Sequence, residues 1–583
     1  MLALAGVAFA VGAIVGTHRS GSPAYGLADG FVKAWTRGDY ATMYSDIDPA
    51  SRRQTSPSSF ARAYQDALTT ATATRLRVTG GAHGISGGLV AVPVRVDTRL
   101  FGSLTLSFAV RTSAGAGEGI RIAWSPSLAF PGLRTGELLT RKTTLPRRAT
   151  LLARDGSVLA ESPPAGSGGQ TGEATRASPL GEVASAALGK VGPVPAERRR
   201  ALEAQGVPPE ATVGLSGIEL ALDDRLRGTP GGELLASGGQ PGELGRVLAY
   251  TAPRAAAAVR SSVSPAVQRA AVLALGGQYG GILAMRPSGQ ILAVAGLGID
   301  GLQPPGSTFK MVTLAGVLQA RIASPHTTFP YASFTTLDGV KLNNANGENC
   351  GGTLELAFAV SCNSVFAPLG VKLGSARLVA AAEQLGFNHS PAIPGAAEST
   401  LPAPGQIQGE LALGSTAIGQ GQVLASPLEM ATVAATVGEG GRRPEPTFLL
   451  GGRSPGGRAM SAAAARTVRH LMIGVVRFGT GTSAAIPGVL VAGKTGTAEL
   501  KTTCATAAAG SAQAESGAKE ANGEHCQGSS SEASNTDAWF AAFAPALHPR
   551  IVVCVLLVKD GAGGTTAAPV AREVLEAGLQ AGG

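Results

Sequence analysis

The amino-acid sequence predicts a multidomain α+β protein, and three observations carry that prediction. Its 583 residues exceed what one hydrophobic core organises, and at about 100–200 residues per domain they call for several cores. The apolar period changes along the chain, from a helical spacing near the start to strict alternation around residue 90. From residue 263 onward a helix, two strands, central helices, two more strands and a closing helix follow one another, which reads as a sheet flanked by helices.

Composition narrows the classes further. A hydrophobic content of 44% is ample for folded domains, and the 82 glycines and 36 prolines follow no Gly-X-Y period. The formal charge of +9 comes from ten lysines and 38 arginines, dispersed without any block of like charge. That pattern suits solvation beside an anionic surface and makes nucleic acid a weak reading, so no nucleic-acid partner is expected.

Taken in order, the apolar run Leu2–Gly16, closed by Thr17, His18 and Arg19, makes residues 1–19 a membrane anchor or signal-anchor, with a cleaved signal peptide as the competing reading. Residues 22–127 form a small α+β domain. Phe31, Val32, Trp35, Tyr40, Met43 and Tyr44 give a helical face broken at Gly38-Asp39. Val90 to Val96 and Leu104 to Val110 alternate as half-buried strands, and Ile120, Ile122 and Trp124 supply a third. Residues 128–262 read as an elongated linker domain with a hairpin at Asp155-Gly156 and an exposed loop over 162–178. In the final domain, 263–583, Ser264-Pro265 opens a helix and Ser426-Pro427-Leu428-Glu429 reads as a capping box. Strands are expected at 281–285, 290–295, 539–543 and 551–557, with a polar surface loop inserted at 501–535.

Five cysteines are few for this length. Cys350 and Cys362 flank a short helical pattern, Cys504 and Cys526 bracket the polar insert, and Cys554 sits in an apolar strand. Two pairs and one buried thiol would suit an oxidising compartment; the connectivity stays open.

Three short motifs occur in the last domain: Ser307-Thr308-Phe309-Lys310, Ser361-Cys362-Asn363 and Lys494-Thr495-Gly496-Thr497. A second Ser-x-x-Lys, at Ser516–Lys519, lies in the polar insert without a helical apolar face and is set aside. After Pro304-Pro305-Gly306, Ser307 is expected to start a helix, where backbone N–H groups favour a developing negative charge. The i,i+3 spacing puts Lys310 on the same face, and a desolvated lysine can take a proton from a serine hydroxyl. Ser361 is expected to relay a proton between Lys310 and a leaving amine, and Asn363 to hydrogen-bond a substrate amide. Lys494, Thr495 and Thr497 are placed to bind a terminal carboxylate, with Gly496 letting a substrate backbone lie close. The N–H groups of Ser307 and Thr497 are the candidate oxyanion-hole donors.

In this order, the three motifs resemble the set found in penicillin-binding proteins and class A β-lactamases. The sequence resembles a class B penicillin-binding protein, a peptidoglycan D,D-transpeptidase, over most of its length. Ala417–Ala431, Gly479–Ser483 and Ala538–Pro545 look like family segments, and Trp124–Ala160 and Gly214–Gly232 resemble the non-catalytic, dimerisation-type linker domain. Residues 22–127 resemble the nuclear-transport-factor-like domain of the subgroup that includes methicillin-resistance-type proteins. The resemblance implies a C-terminal serine acyltransferase fold of the penicillin-binding type. It also implies an acyl-enzyme on Ser307 formed from the penultimate D-Ala carbonyl of a stem peptide, and trapping by β-lactams. It implies no cofactor and no metal. As partners it implies peptidoglycan stem peptides, β-lactam antibiotics, the membrane through the N-terminal helix, and a glycosyltransferase or other cell-wall-synthesis complex. The soluble domains would stand on the extracytoplasmic face of the cell membrane behind a single pass. A D,D-carboxypeptidase or β-lactamase, with water as acceptor, and a non-enzymatic sensor are the alternatives. The chain departs from the family's pattern at Arg148-Ala149, where Arg-Gly is usual, at Ser264, where Asp is usual, and in the length of the insert after Glu499.

Overall fold

The computed structural model describes residues 23–115, 119–162, 176–238, 245–452, 456–499 and 535–581. The expected anchor, Cys504 and Cys526, the second Ser-x-x-Lys and nearly all of the 501–535 insert lie outside these residues, as does most of the expected loop at 162–178. Among the described residues no single helix is long and apolar enough to cross a membrane. The chain divides into two compact units: residues 1–146, 193–211 and 228–255, and residues 147–192, 212–227 and 256–583.

The first unit begins with four helices, Pro23–Arg37, Tyr40–Asp46, Pro49–Gln54 and Pro57–Thr70. Their starts follow from local chemistry. Asp39, Asp48 and Ser56 each accept an N–H three residues on, and Pro49 and Pro57 fill first-turn positions where no N–H is needed. Gly38, at φ +71°, ends the first helix. An antiparallel sheet follows, with Ala73–Val78, Leu89–Thr98, Gly102–Gly115 and Gly119–Ile122 in that spatial order. Val90, Val92, Val94 and Val96 bury one face against Phe31, Trp35 and Phe60. Trp124 does not continue the last strand as expected; that strand stops at Ile122, and the indole N–H instead donates to the Tyr64 hydroxyl at 3.1 Å.

The second unit is built on a five-stranded antiparallel sheet ordered Ile291–Gly296, Gly280–Met285, Ile551–Leu557, Thr536–Ala544, Ala492–Glu499. Both faces are covered, which is why the strands read as continuous apolar runs rather than alternating ones. Ile282, Ala284, Phe540, Val553 and Val555 pack with the helices Pro265–Leu275 and Ala567–Ala581. Leu283, Met285, Trp539, Cys554 and Leu556 point into the larger core, shared with the helices Lys310–Gln319 and Pro427–Gly438. Glu499 stands opposite Thr536 in register, so the insert joins two paired strands at the end of the strand that carries Lys494.

Several local expectations change in detail. Ser264 occupies the N-cap of its helix, but its side chain makes no capping bond; its N–H donates to Leu292. Only half of the expected capping box at Ser426 forms. Ser426 Oγ accepts the Glu429 N–H, whereas the Ser426 N–H is taken by Ser399 Oγ and the Glu429 carboxylate faces Arg443 at 3.5 Å. Ala149 is not among the residues at positive φ, and its N–H donates to Leu226, so nothing in the backbone there demands glycine. The preceding Arg148 enters a buried ion-pair cluster with Glu219 and Asp223, joined by Arg176 and Arg227.

Candidate active site

Ser307 lies in a 3-10 turn, Gly306–Phe309, that leads into the α-helix Lys310–Gln319; the expected α-helical start at Ser307 is one turn early. Tertiary contacts impose the tighter turn. Gly306 sits at φ +51°, its N–H donates to Gly419, and a Cβ added to it would stand 2.7 Å from the Thr497 carbonyl oxygen. Backbone therefore lies directly on backbone, and the Ser307 turn is held against the strand that carries Thr497.

Gly496 serves the same contact from the other side. Its missing Cβ would meet the Pro305 carbonyl at 2.7 Å, so on this face of the strand the absent side chain makes room for the Ser307 turn. Gly563 lies on the same stretch, where a Cβ would approach the Gly496 carbonyl to 2.3 Å. This glycine stack brings the two candidate oxyanion donors, Ser307 and Thr497, onto one edge of the sheet.

Ser361 follows the helix Leu354–Ala359 and adopts φ +65°, an uncommon conformation for a residue with a Cβ. Cys362 is disulfide-bonded to Cys350 in the strand Cys350–Thr353, so the turn between Ser361 and Asn363 is pinned covalently at its centre. Of the candidate pairs this one is formed, and Cys554 is free and buried. Asn363 begins the next helix, Asn363–Leu373.

The two lysines converge on this turn. Lys310 Nζ donates to the Ser361 carbonyl at 2.7 Å, to Asn363 Oδ1 at 2.7 Å and to Ser361 Oγ at 3.3 Å. Lys494 Nζ donates to Ser361 Oγ at 2.9 Å and to the Thr495 carbonyl at 3.0 Å. Lys310 thus makes no hydrogen bond to Ser307, the contact its i,i+3 spacing suggested; its Nζ is drawn to three oxygen acceptors around Ser361. Asn363 is likewise engaged at both ends, since its Nδ2 donates to the Asn343 carbonyl at 2.9 Å.

Both lysine side chains are fully buried, and among the described residues neither has a carboxylate partner. Burial pushes Lys310 well below the usual lysine range, with the Lys494 charge adding to the effect. Burial lowers Lys494 from 10.5 to about 7. What charge they keep is met by aromatic faces: Lys310 Nζ lies 5.6 Å from the Phe366 ring centre and Lys494 Nζ 5.5 Å from that of Phe358. Lowering both lysines beside the Ser361 hydroxyl shifts them toward the unprotonated form that a proton acceptor needs near neutral pH.

Thr495 is buried, and its hydroxyl pairs with Thr480 Oγ1 at 2.6 Å, while Thr497 Oγ1 accepts the Gly563 N–H at 3.3 Å. Thr480, Phe358, Phe366 and Gly563 were not among the residues singled out from sequence. Of these only Thr480 had a local signal, as part of Gly479–Ser483; the others are identified by what they touch.

Comparison with known proteins returns three family models on this chain. The penicillin binding protein transpeptidase domain matches residues 280–576, the penicillin-binding protein dimerisation domain residues 170–251, and the NTF2-like N-terminal transpeptidase domain residues 23–137. Together they correspond to the multidomain α+β fold expected from the sequence. The peptidoglycan D,D-transpeptidase PbpA of Mycolicibacterium smegmatis is 35% identical over 305 residues, a stretch covering 48% of this chain and 55% of that relative. The chain therefore spans about half the length of such relatives. The peptidoglycan D,D-transpeptidase MrdA of Acinetobacter baumannii is 25% identical over 468 residues, covering 69% of this chain and 66% of that one. Among solved structures, penicillin-binding protein A from M. tuberculosis as its penicillin G acyl-enzyme complex aligns at 26% identity and a TM-score of 0.54, covering 74% of this chain and 100% of that one. The D,D-transpeptidase domain of a peptidoglycan glycosyltransferase from Eggerthella lenta aligns at 28% identity and a TM-score of 0.54, covering 74% and 98%.

Proposed function

We propose, for a chain that belongs to the penicillin-binding protein transpeptidase family, that it is a peptidoglycan D,D-transpeptidase acting through an acyl-enzyme on Ser307. The observation that carries this reading is the pair of buried lysines, both hydrogen-bonded to Ser361 and without a carboxylate partner among the described residues. Ser307 Oγ attacks the penultimate D-Ala carbonyl of a stem peptide while Lys310 takes its proton. The oxyanion forms against the N–H groups of Ser307 and Thr497. Ser361, within reach of both lysines, passes the proton to the nitrogen of the departing D-Ala. An amine from a second strand then attacks the ester and releases Ser307. Lys494, Thr495 and Thr497 hold the donor's terminal carboxylate, and Asn363 aligns the acyl chain once substrate displaces its present contacts.

The wider assignment is argued the same way. Residues 22–127 are the nuclear-transport-factor-like domain, 128–262 the linker and 263–583 the transpeptidase domain, carried by an anchor at 1–19. The Cys350–Cys362 disulfide supports an oxidising, extracytoplasmic position for the catalytic domain. β-Lactams acylate the same serine, and a glycosyltransferase-containing wall-synthesis complex is the expected partner.

The test is intact-mass analysis of the chain after incubation with labelled penicillin, with Ser307→Ala as control. A stable adduct on Ser307 that the variant lacks supports the reading. An adduct lost within seconds would instead mark a β-lactamase, and absence of any adduct would overturn the catalytic assignment. Offering a D-Ala-D-Ala stem peptide together with an amine acceptor then distinguishes transpeptidation, where the amine is incorporated, from carboxypeptidase action, where water alone is.

A further inference from the structure

Thr480 belongs to none of the three motifs, yet it touches one of them and the helix end that leads into another. Its N–H donates to the Ala359 carbonyl at 3.0 Å, at the end of the helix that leads into Ser361. Its hydroxyl lies 2.6 Å from the Thr495 hydroxyl and 3.4 Å from the same Ala359 carbonyl. With Lys494 donating to Ser361 Oγ, the contacts close a ring through Ala359, Ser361, Lys494, Thr495 and Thr480. The turn bearing Thr480 fits tightly on both sides. A Cβ on Gly479 would stand 2.1 Å from the Ala359 carbonyl, and one on Gly564 would stand 2.2 Å from the Thr480 carbonyl.

Two hydroxyls at 2.6 Å share one proton between their oxygens, so their second proton must point elsewhere. When Thr480 donates to Ala359, Thr495 donates to Thr480 and has no proton left for a ligand. When Thr480 donates to Thr495, the Thr495 proton is free to point out of the site. We infer that Thr480 is a positioning residue whose hydroxyl reverses direction when a substrate carboxylate arrives, freeing the Thr495 proton to donate to that carboxylate. The inference rests on the proposed function, because it concerns how that same site recognises the anionic end of its acyl donor. Nothing covalent changes; two hydroxyl protons rotate and one hydrogen bond to Ala359 is exchanged for one to the ligand.

The experiment compares Ser307 acylation by benzylpenicillin and by its methyl ester, whose carboxylate is neutralised, in the full chain and in Thr480→Val and Thr480→Ser. Thr480→Val keeps the Thr495 hydroxyl but removes the donor that holds its proton toward the carboxylate, so acylation should slow by about fivefold with benzylpenicillin and by less than about twofold with the ester. Thr480→Ser keeps the hydroxyl and should stay within about twofold of the parent on both probes. Should valine prevent folding, as judged by the thermal transition, Thr480→Ala removes the same hydroxyl while keeping the N–H to Ala359. Equal losses on acid and ester, a loss in the serine variant as large as in valine, or no loss at all would each overturn the inference. Failure of the parent chain to be acylated by either probe would overturn the proposed function and this inference with it.

Discussion

Arg148, Arg176 and Arg227 are buried nearly as deeply as Lys310 and Lys494, and all five lie in the same compact unit. Their surroundings differ in one respect. Arg148 meets Glu219 at 2.6 Å and Asp223 at 2.7 Å, Arg176 meets Glu219 at 2.9 Å, and Arg227 meets Asp223 at 2.8 Å. Among the described residues the lysines meet only carbonyl, amide and hydroxyl oxygens. A buried cation beside a carboxylate stays ionised and fixes two chain segments together; one without a carboxylate is pushed toward neutrality and keeps a lone pair for chemistry. The linker-type segment and the catalytic site use the same burial for opposite ends.

The largest effect should come from removing a reactive cation. Lys310→Met is expected to slow acylation of Ser307 by about a thousandfold or more, while stability falls by no more than about 1–3 kcal/mol, because the Ser361 carbonyl and Asn363 Oδ1 lose a donor but no carboxylate loses its cation. Stopped-flow acylation and a melting curve on one preparation check both halves, and a large loss of stability would dissolve the contrast. Next is the matched cluster. Glu219→Gln leaves Arg148 and Arg176 short of a charge and should cost about 3–5 kcal/mol in urea unfolding, with the acylation rate per folded molecule unchanged. A comparable fall in acylation would mean that the two clusters are not independent.

A smaller effect concerns pH. Lys494 is lowered from 10.5 to about 7, so between those values the unfolded chain holds a proton that the folded chain does not. The contribution of this group therefore makes stability rise with pH from about 7 to 10.5, and Lys494→Met should flatten that part of the profile. An unchanged slope would remove Lys494 from the unmatched class. The least effect belongs to the exposed arm of the cluster. Asp224 pairs with Arg227 but is 79% exposed, so Asp224→Ala should alter unfolding by no more than about 1 kcal/mol.

The contrast also separates what could be read in the sequence from what could not. Four of the five strands of the central sheet, the helix at Pro265 and the three motifs announce themselves through local period, proline placement and spacing. The convergence of Lys310 and Lys494 on Ser361 could be expected only as a shared site, because hydrogen bonds spanning 51 and 133 residues are settled by packing. Arg148 and Glu219 stand 71 residues apart, and neither carries a local mark of its partner. The 3-10 turn at Ser307 was likewise out of reach, since it depends on Gly306 meeting Thr497 from a distant strand. The Glu429 capping box misled because the Ser426 N–H is taken by Ser399 and the Glu429 carboxylate turns to the half-buried Arg443 instead.

The glycine stack of Gly306, Gly496 and Gly563 has a bearing on how such a site can vary over generations. Where side chains separate two elements, a substitution can widen or narrow the gap by small steps. Here the gap between nucleophile and strand is the thickness of main chain, with Cβ distances of 2.3–2.7 Å that admit no substituent. Heritable change can therefore retune the charge around Ser361 or the loops at the rim, but the distance from Ser307 to its strand is a constant of the backbone, with no residue through which drift or selection could adjust it.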